Sequence, residues 1–246
     1  MSLLAFVEVC KVYPEGRGNV VALDSVSAEI ASGEFVGVWG PRRAGKSTLL
    51  RIAASHESST SGSVVFDGHD LGRVSSRARA KLLRDGGTAL VTSHRRVLDN
   101  ILAVEHVSTP LLSKRMSLRD GKVPALQALE RVGVSNCAYL PMERLSAAER
   151  FRVSLAQALV MRPRLLLVDE PTAQLGPSEG VELNGLLNEL ARDSALAVVV
   201  ASQELAPLRR CERIWSIESG RVKSMTPSVA TVLPFPRPDG VQAASS

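Results

Sequence analysis

The residues best suited to chemistry are Gly40-Pro41-Arg42-Arg43-Ala44-Gly45-Lys46-Ser47-Thr48. Their spacing, Gly, four residues, Gly, Lys and Ser/Thr, is that of a phosphate-binding loop. Backbone N–H groups of such a loop point at phosphate oxygens, and the dipole of the helix that follows favours the anion. Lys46 then reaches the terminal phosphates and the Ser47 hydroxyl ligates Mg²⁺. The same string could be a Gly-rich turn with a helix-capping serine; the flanking elements decide between the two. A second pair of groups, Asp169 and Glu170, follows the apolar run 165–168. An aspartate at the end of a strand can hold Mg²⁺ through water, and an adjacent glutamate can polarise an attacking water. Read alone, two acids before Pro171-Thr172 would serve equally well to cap a helix.

These residues need particular elements around them. Glu34–Trp39 reads as a buried strand and residues 48–52 as the first turns of a helix, the context a phosphate loop requires. Ahead of it, residues 4–12 read as a strand ending in a turn at Tyr13-Pro14-Glu15-Gly16, with further strands at 20–23 and 26–30. Residues 63–66 form a short strand closed by an Asp67-Gly68 turn, and 77–84 a basic helical stretch before an apolar strand at 89–92. Residues 98–145 have helical spacing, with Ile101, Val104, Val107, Leu111 and Leu112, then Ala125, Leu126, Leu129 and Val132, on apolar faces. They predict a helical lobe inserted between two strands of the main sheet. A helix over 146–161, a buried strand at 165–168, an amphipathic helix over 178–192 with Val181, Leu186, Leu187 and Leu190 inward, and strands at 195–201 and 214–216 complete the pattern. Strands alternating with helices predict a doubly wound α/β core. From Thr226 the chain turns to Pro, Ala and Ser, which predicts a flexible tail.

The composition excludes several other classes. With 45% hydrophobic and 22% charged residues, the 246-residue chain can bury a substantial core. The net charge of +5 is spread along the sequence, so nucleic acid is not implied as a partner. Three widely spaced cysteines, Cys10, Cys137 and Cys211, argue against a disulfide framework or a zinc site and for a reduced, cytoplasmic setting. No apolar stretch approaches the roughly 20 residues of a membrane span, so a membrane role would come through a partner.

The ordered set Tyr13, Gly40–Thr48, Leu145-Ser146-Ala147-Ala148-Glu149 and Leu165–Thr172 resembles the nucleotide-binding domain of the ATP-binding cassette family across residues 3–224. Two finer features, the loop 13–23 and the basic helix 77–84, resemble the group that drives lipoprotein release, macrolide export and cell-division complexes. The resemblance implies a P-loop NTPase core with a parallel central sheet, an antiparallel β subdomain and an inserted α-helical subdomain. Residues 1–225 would form the ATPase domain, with the helical subdomain at about 94–146, and 226–246 the tail. It also implies ATP and Mg²⁺, held by residues 40–48, with Ser47 and Asp169 on the metal and Glu170 on the water. Tyr13 would stack on adenine, although a plain strand-end tyrosine accounts for it too. Two such domains pair head to tail on a membrane permease at the cytoplasmic face of the membrane, and Ser146 reaches the γ-phosphate held by the opposing subunit.

Several positions depart from the family pattern. Arg42 and Arg43 replace small residues in the phosphate loop, and at 43 a glycine is common. Ser93 stands where a glutamine meets Mg²⁺ and relays to the membrane subunit. Ala147, Ala148 and Glu149 replace Gly, Gly and Gln of the signature. Gly176 replaces an aspartate that crosses the dimer interface, and Ser202, or Gln203 with a shift of one, replaces a histidine that senses the γ-phosphate. Losing one positioned donor to a transferring group costs about 2.7–4 kcal/mol in the transition state. The expected protein binds Mg·ATP but turns it over slowly, as one half of a heterodimer with a more complete ATPase. A homodimeric active ATPase and an ATP-gated clamp without turnover are the alternatives.

Overall fold

The computed structural model describes residues 2–16, 18–93, 100–192 and 196–225. The expected tail and the stretch His94-Arg95-Arg96 lie outside the described residues. Four strands carry apolar runs, β3 (Phe35–Trp39), β6 (Thr88–Thr92), β7 (Leu165–Asp169) and β8 (Ala197–Ser202), and β9 (Arg213–Glu218) buries Ile214, Trp215 and Ile217. Such runs suit a parallel sheet covered on both sides. With β10 (Arg221–Met225) they form a six-stranded sheet in the order β10-β9-β3-β8-β7-β6, parallel except for the β10–β9 pair.

Successive side chains of a strand face opposite sides, and the two cores follow from this. Leu165, Leu167, Ala197 and Val199 point to one side, where they meet α1 (Lys46–Ala53) and a four-stranded antiparallel sheet. Leu166, Val168, Val198 and Val200 point to the other, toward α3 (Ala103–Ser108), α4 (Leu118–Arg131), α5 (Ala147–Leu159) and α6 (Pro177–Ala191). The antiparallel sheet has the order β2-β1-β4-β5, from β1 (Ser2–Glu15), β2 (Gly18–Ala31), β4 (Ser61–Phe66) and β5 (His69–Asp70). Helices α3 and α4 fall between β6 and β7, neighbours in the central sheet, so the helical lobe is an insertion in it. The basic helix α2 spans Ser76–Arg84.

Four sequence expectations need correction. Tyr13-Pro14-Glu15 is strand, with Tyr13 opposite Val20 and Pro14 opposite Asn19. Beyond Cys10, β1 no longer pairs with β4, so Pro14 owes no N–H to a neighbour on that side. The strands expected at 20–23 and 26–30 are one strand, bent at Ser25, whose φ of 50° marks an irregularity in the ladder. Val181 is 73% exposed, because the buried stripe of α6 is Leu183, Leu186, Leu187 and Leu190. Two residues from Leu183 is about 200° around a helix, the opposite face. Leu112 is likewise exposed, in the 3-10 turn Thr109–Lys114. The Asp67-Gly68 turn stands as expected, with φ of 50° and 76°, the mirror-image turn that fits strand twist.

Candidate functional site

The central sheet lines up its carboxyl ends. Trp39 pairs with Ser202, Ala201 with Asp169, and Asp169 with Thr92. The next residues, Gly40, Gln203, Glu170 and Ser93, therefore begin their loops in a row along one edge, where open α/β sheets bind ligands.

Gly40 to Gly45 form the turn from β3 into α1. A Cβ at Gly40 would collide with the Ile217 carbonyl oxygen, and one at Gly45 with that of Ala22; Gly45 also has φ of +109°. Glycine is required at both. Pro41, Arg42 and Arg43 are exposed, while Ala44, Gly45, Lys46 and Thr48 are buried. Arg43 holds φ of 62°, the left-handed conformation for which the family's glycine is suited.

Lys46 heads α1 and is 5% exposed. Its Nζ donates to the Gly40 carbonyl at 2.7 Å and the Pro41 carbonyl at 3.1 Å, and pairs with Glu170 Oε1 at 3.1 Å. The other carboxylate oxygen of Glu170 accepts from the Gln203 N–H at 3.3 Å. Glu170 itself has φ of 49°, and its N–H continues the ladder to Ala201 O at 2.9 Å. Burial pushes the Asp169 carboxyl above its ordinary range, against a hydrogen bond from the Ser47 hydroxyl and the Lys46 charge, which pull it down. Asp169 Oδ1 is buried and has no hydrogen-bond partner among the described residues. A buried carboxylate oxygen left open beside a serine hydroxyl fits a hard divalent cation such as Mg²⁺.

The sequence profile of the ABC transporter family matches residues 23–173. The chain belongs to the ABC transporter family. It is 32% identical over 212 residues to the lipoprotein-releasing system ATP-binding protein LolD of Pseudoalteromonas translucida, a match covering 86% of this chain and 91% of that one. The LolD of Pseudomonas syringae pv. tomato is 34% identical over 213 residues, covering 86% and 93%. Among solved structures, the dimeric ATP-binding cassette MJ0796 bound to ADP and Pi superposes with TM-score 0.83 at 29% identity, covering 91% of this chain and 98% of that one. CbiO1 of Clostridium perfringens, part of the cbiONQ transporter complex, gives 0.77 at 25% identity, covering 90% and 87%. The chain is thus an ATP-binding subunit of an ABC transporter, and ABC ATPases bind ATP with Mg²⁺.

The remaining family positions fall as follows. Ser146 caps α5: its Oγ accepts from the Glu149 N–H at 3.2 Å, and Glu149 Oε2 accepts from the Ser146 N–H at 2.8 Å. The other oxygen of Glu149 accepts from the buried Cys137 thiol at 3.2 Å. Glu149 is therefore turned back into its own subdomain, and its charge is held by helix-end donors that keep its carboxyl below the usual range. Lys46 and Ser146 head helices packed on opposite sides of the central sheet, so one chain does not bring them together. Gly176 precedes α6 and donates its N–H to Glu179 Oε2 at 3.0 Å. Ser202 is buried and its hydroxyl accepts from the Glu204 N–H at 3.0 Å, whereas Gln203 is exposed. Tyr13 is half-buried; its hydroxyl donates to Glu57, which pairs with Arg51 at 2.9 Å, and Lys11 Nζ lies 5.0 Å from its ring.

Sequence reasoning missed Trp39, whose indole N–H donates to Gln203 O at 3.0 Å. A tryptophan closing a buried strand immediately before a phosphate loop was the available signal, because a half-buried indole N–H needs an acceptor.

Proposed function

We propose that this chain is a slowly hydrolysing ATPase subunit that pairs with a second, more complete cassette ATPase on a membrane permease of the lipoprotein-releasing or export type. The observation that carries the reading is the contrast around Lys46. Lys46, Ser47, Asp169 and Glu170 converge as phosphate binding, metal binding and water activation require, while the loop after β8 offers the Gln203 N–H and no imidazole. Mg²⁺, when bound, neutralises charge on the phosphate oxygens, with Ser47 and Asp169 as the residues that would hold it. Glu170 orients the attacking water, residues 40–48 bind the phosphates, and Tyr13 stacks on the base. The opposite placement of Lys46 and Ser146 supports a composite site made by two subunits. A cavity of about 570 Å³ beside the terminal strand β6, lined by Arg51, Thr92, Gln157, Met161 and Asp169, supports docking of a permease segment within reach of the metal side. Residues 1–225 make the ATPase domain, with the helical subdomain at about 94–146. The described residues include no helix long and apolar enough to cross a membrane.

The test is steady-state ATPase activity of the purified chain, alone and with co-encoded cassette and permease subunits, alongside nucleotide affinity. Lys46→Ala weakens ATP binding, and Glu170→Gln changes the steady-state turnover of the assembled complex little, because the partner cassette's site carries it. A large fall in turnover on Glu170→Gln refutes the slow-site reading. One observation favours a homodimeric active enzyme instead: the Gln203 backbone N–H on Glu170 sets that residue beside the phosphate loop, where its exposed side-chain amide could supply a γ-phosphate donor. Robust turnover of the chain alone, lost on Gln203→Ala, would establish that alternative.

A further inference from the structure

Trp39 is one of two tryptophans in the chain and the last residue of β3. Its ring packs against the core on the helical side, and its Nε1 donates to Gln203 O at 3.0 Å. The same residue, through its N–H, meets Glu170 Oε2 at 3.3 Å. Glu170 Oε1 pairs with Lys46 Nζ at 3.1 Å, and Lys46 donates to Gly40 O at 2.7 Å. Polar contacts thus run from Trp39 through Gln203, Glu170 and Lys46 to Gly40, and one peptide bond returns them to Trp39.

We propose that Trp39 is a positioning residue for Glu170. A buried strand end requires only an apolar side chain, and the indole adds a donor where an aliphatic residue has none. That donor matters because of what it holds. Residues 203–206 are exposed, and an exposed loop with few buried contacts opens readily. With its carbonyl fixed by Trp39, Gln203 keeps its N–H aimed at Glu170. Arriving phosphate competes for Lys46, and the Gln203 N–H then remains to orient the Glu170 carboxylate. A group that activates water acts well only when a further group fixes its direction. Trp39 touches no nucleotide in this arrangement; it acts through Gln203.

The inference rests on Glu170 activating water, as proposed above, and two readouts separate its failure from the failure of that reading. Trp39→Phe keeps the ring and its packing but lacks the donor, and far-UV circular dichroism checks that it folds. Amide exchange, followed by mass spectrometry on the peptide containing Gln203, rises about fivefold in Trp39→Phe, the factor that one net hydrogen bond represents. Trp215→Phe, at the other tryptophan, leaves it unchanged. Single-turnover hydrolysis, with the chain in excess over labelled ATP, slows by about the same factor while ATP affinity stays within about twofold. Unchanged exchange at Gln203 overturns the proposal, as does joint loss of affinity and hydrolysis, which would mean a packing role. Faster exchange with unaltered hydrolysis overturns it too, by showing that the clamp exists but Glu170 does not govern turnover. If the wild type shows no single turnover, the exchange arm decides: it must also rise in Glu170→Ala, whose clamp partner is gone.

Discussion

Glu170→Gln preserves side-chain volume and removes the negative charge 3.1 Å from Lys46 Nζ. Breaking a fully buried ion pair by removing one partner costs about 3–5 kcal/mol. Two features reduce that figure here. Glu170 is 20% exposed, and Lys46 keeps the Gly40 and Pro41 carbonyls at 2.7 and 3.1 Å. What remains is about one charge-assisted hydrogen bond, roughly 1–2 kcal/mol. For a protein of this size the nucleotide-free variant should melt about 2–8 °C lower. Nucleotide reverses the sign of the effect. In the wild type, Lys46 must leave Glu170 to meet phosphate, whereas in the variant it has no ion pair to break. The same free energy then appears as ATP affinity, a gain of about 5–30-fold. Scanning fluorimetry with and without Mg·ATP reads the first quantity, and displacement of a fluorescent ATP analogue reads the second. A variant with unaltered melting temperature and weaker ATP binding would refute the reasoning, because Glu170 would then not be the resting partner of Lys46.

Two further outcomes follow from the geometry. Gly45→Ala forces a Cβ onto the Ala22 carbonyl at φ of +109°, so it should lose about 3 kcal/mol or more and with it ATP binding, whereas Gly68→Ala, at φ +76° in open space, should lose only about 1 kcal/mol. Urea unfolding and nucleotide titration check both, and equal losses would contradict the steric account. Thiol chemistry offers the second check, since burial first, then a neighbouring carboxylate, raises Cys137 to about 11 and Cys211 to about 12. A raised thiol pKa means that thiolate is absent until the pH approaches it, so at pH 8 a disulfide reagent should modify Cys10 in the native protein and all three cysteines after unfolding. Rapid native reaction of two or three thiols would contradict the burial of Cys137 and Cys211.

Four strands of the central sheet, β3, β6, β7 and β8, were legible because they are apolar runs, whereas β9 was read short, at 214–216, and β10 was not read, because polar residues interrupt both. The hairpin of β1 and β2 was less legible. Tyr13-Pro14-Glu15-Gly16 has the residue types of a turn, yet the strand persists through Pro14 because pairing there is one-sided, a fact of sheet order and not of local sequence. Val181 was misplaced because a helix beginning at Pro177 sets its own phase, which a sum over apolar residues does not reveal. Within the site, the phosphate loop and the acid pair were readable as types in order. The direction of Glu149 was not: a carboxylate in place of an amide reads as a charge near nucleotide, and only the reciprocal bonds to Ser146 and the Cys137 thiol turn it inward. The Trp39–Gln203 bond joins residues 164 positions apart, beyond any spacing rule.

Backbone strain bears on whether the site is maintained or merely left over. Several non-glycine residues with positive φ have structural causes, such as Ser25 at the irregularity of β2 and Asp67 in its hairpin turn. Arg43 at 62° and Glu170 at 49° do not sit in hairpins; they flank Lys46, one in the phosphate loop and the other at the end of β7. Each such residue costs about 1–2 kcal/mol relative to an ordinary conformation, and it persists only where its surroundings over-determine it. At Glu170 the surroundings are the Lys46 ammonium and the Gln203 N–H, which hold the carboxylate beside the phosphate loop, and the Ala201 carbonyl, which fixes the backbone N–H. The strain is therefore matched by interactions that serve phosphate binding and Glu170 orientation.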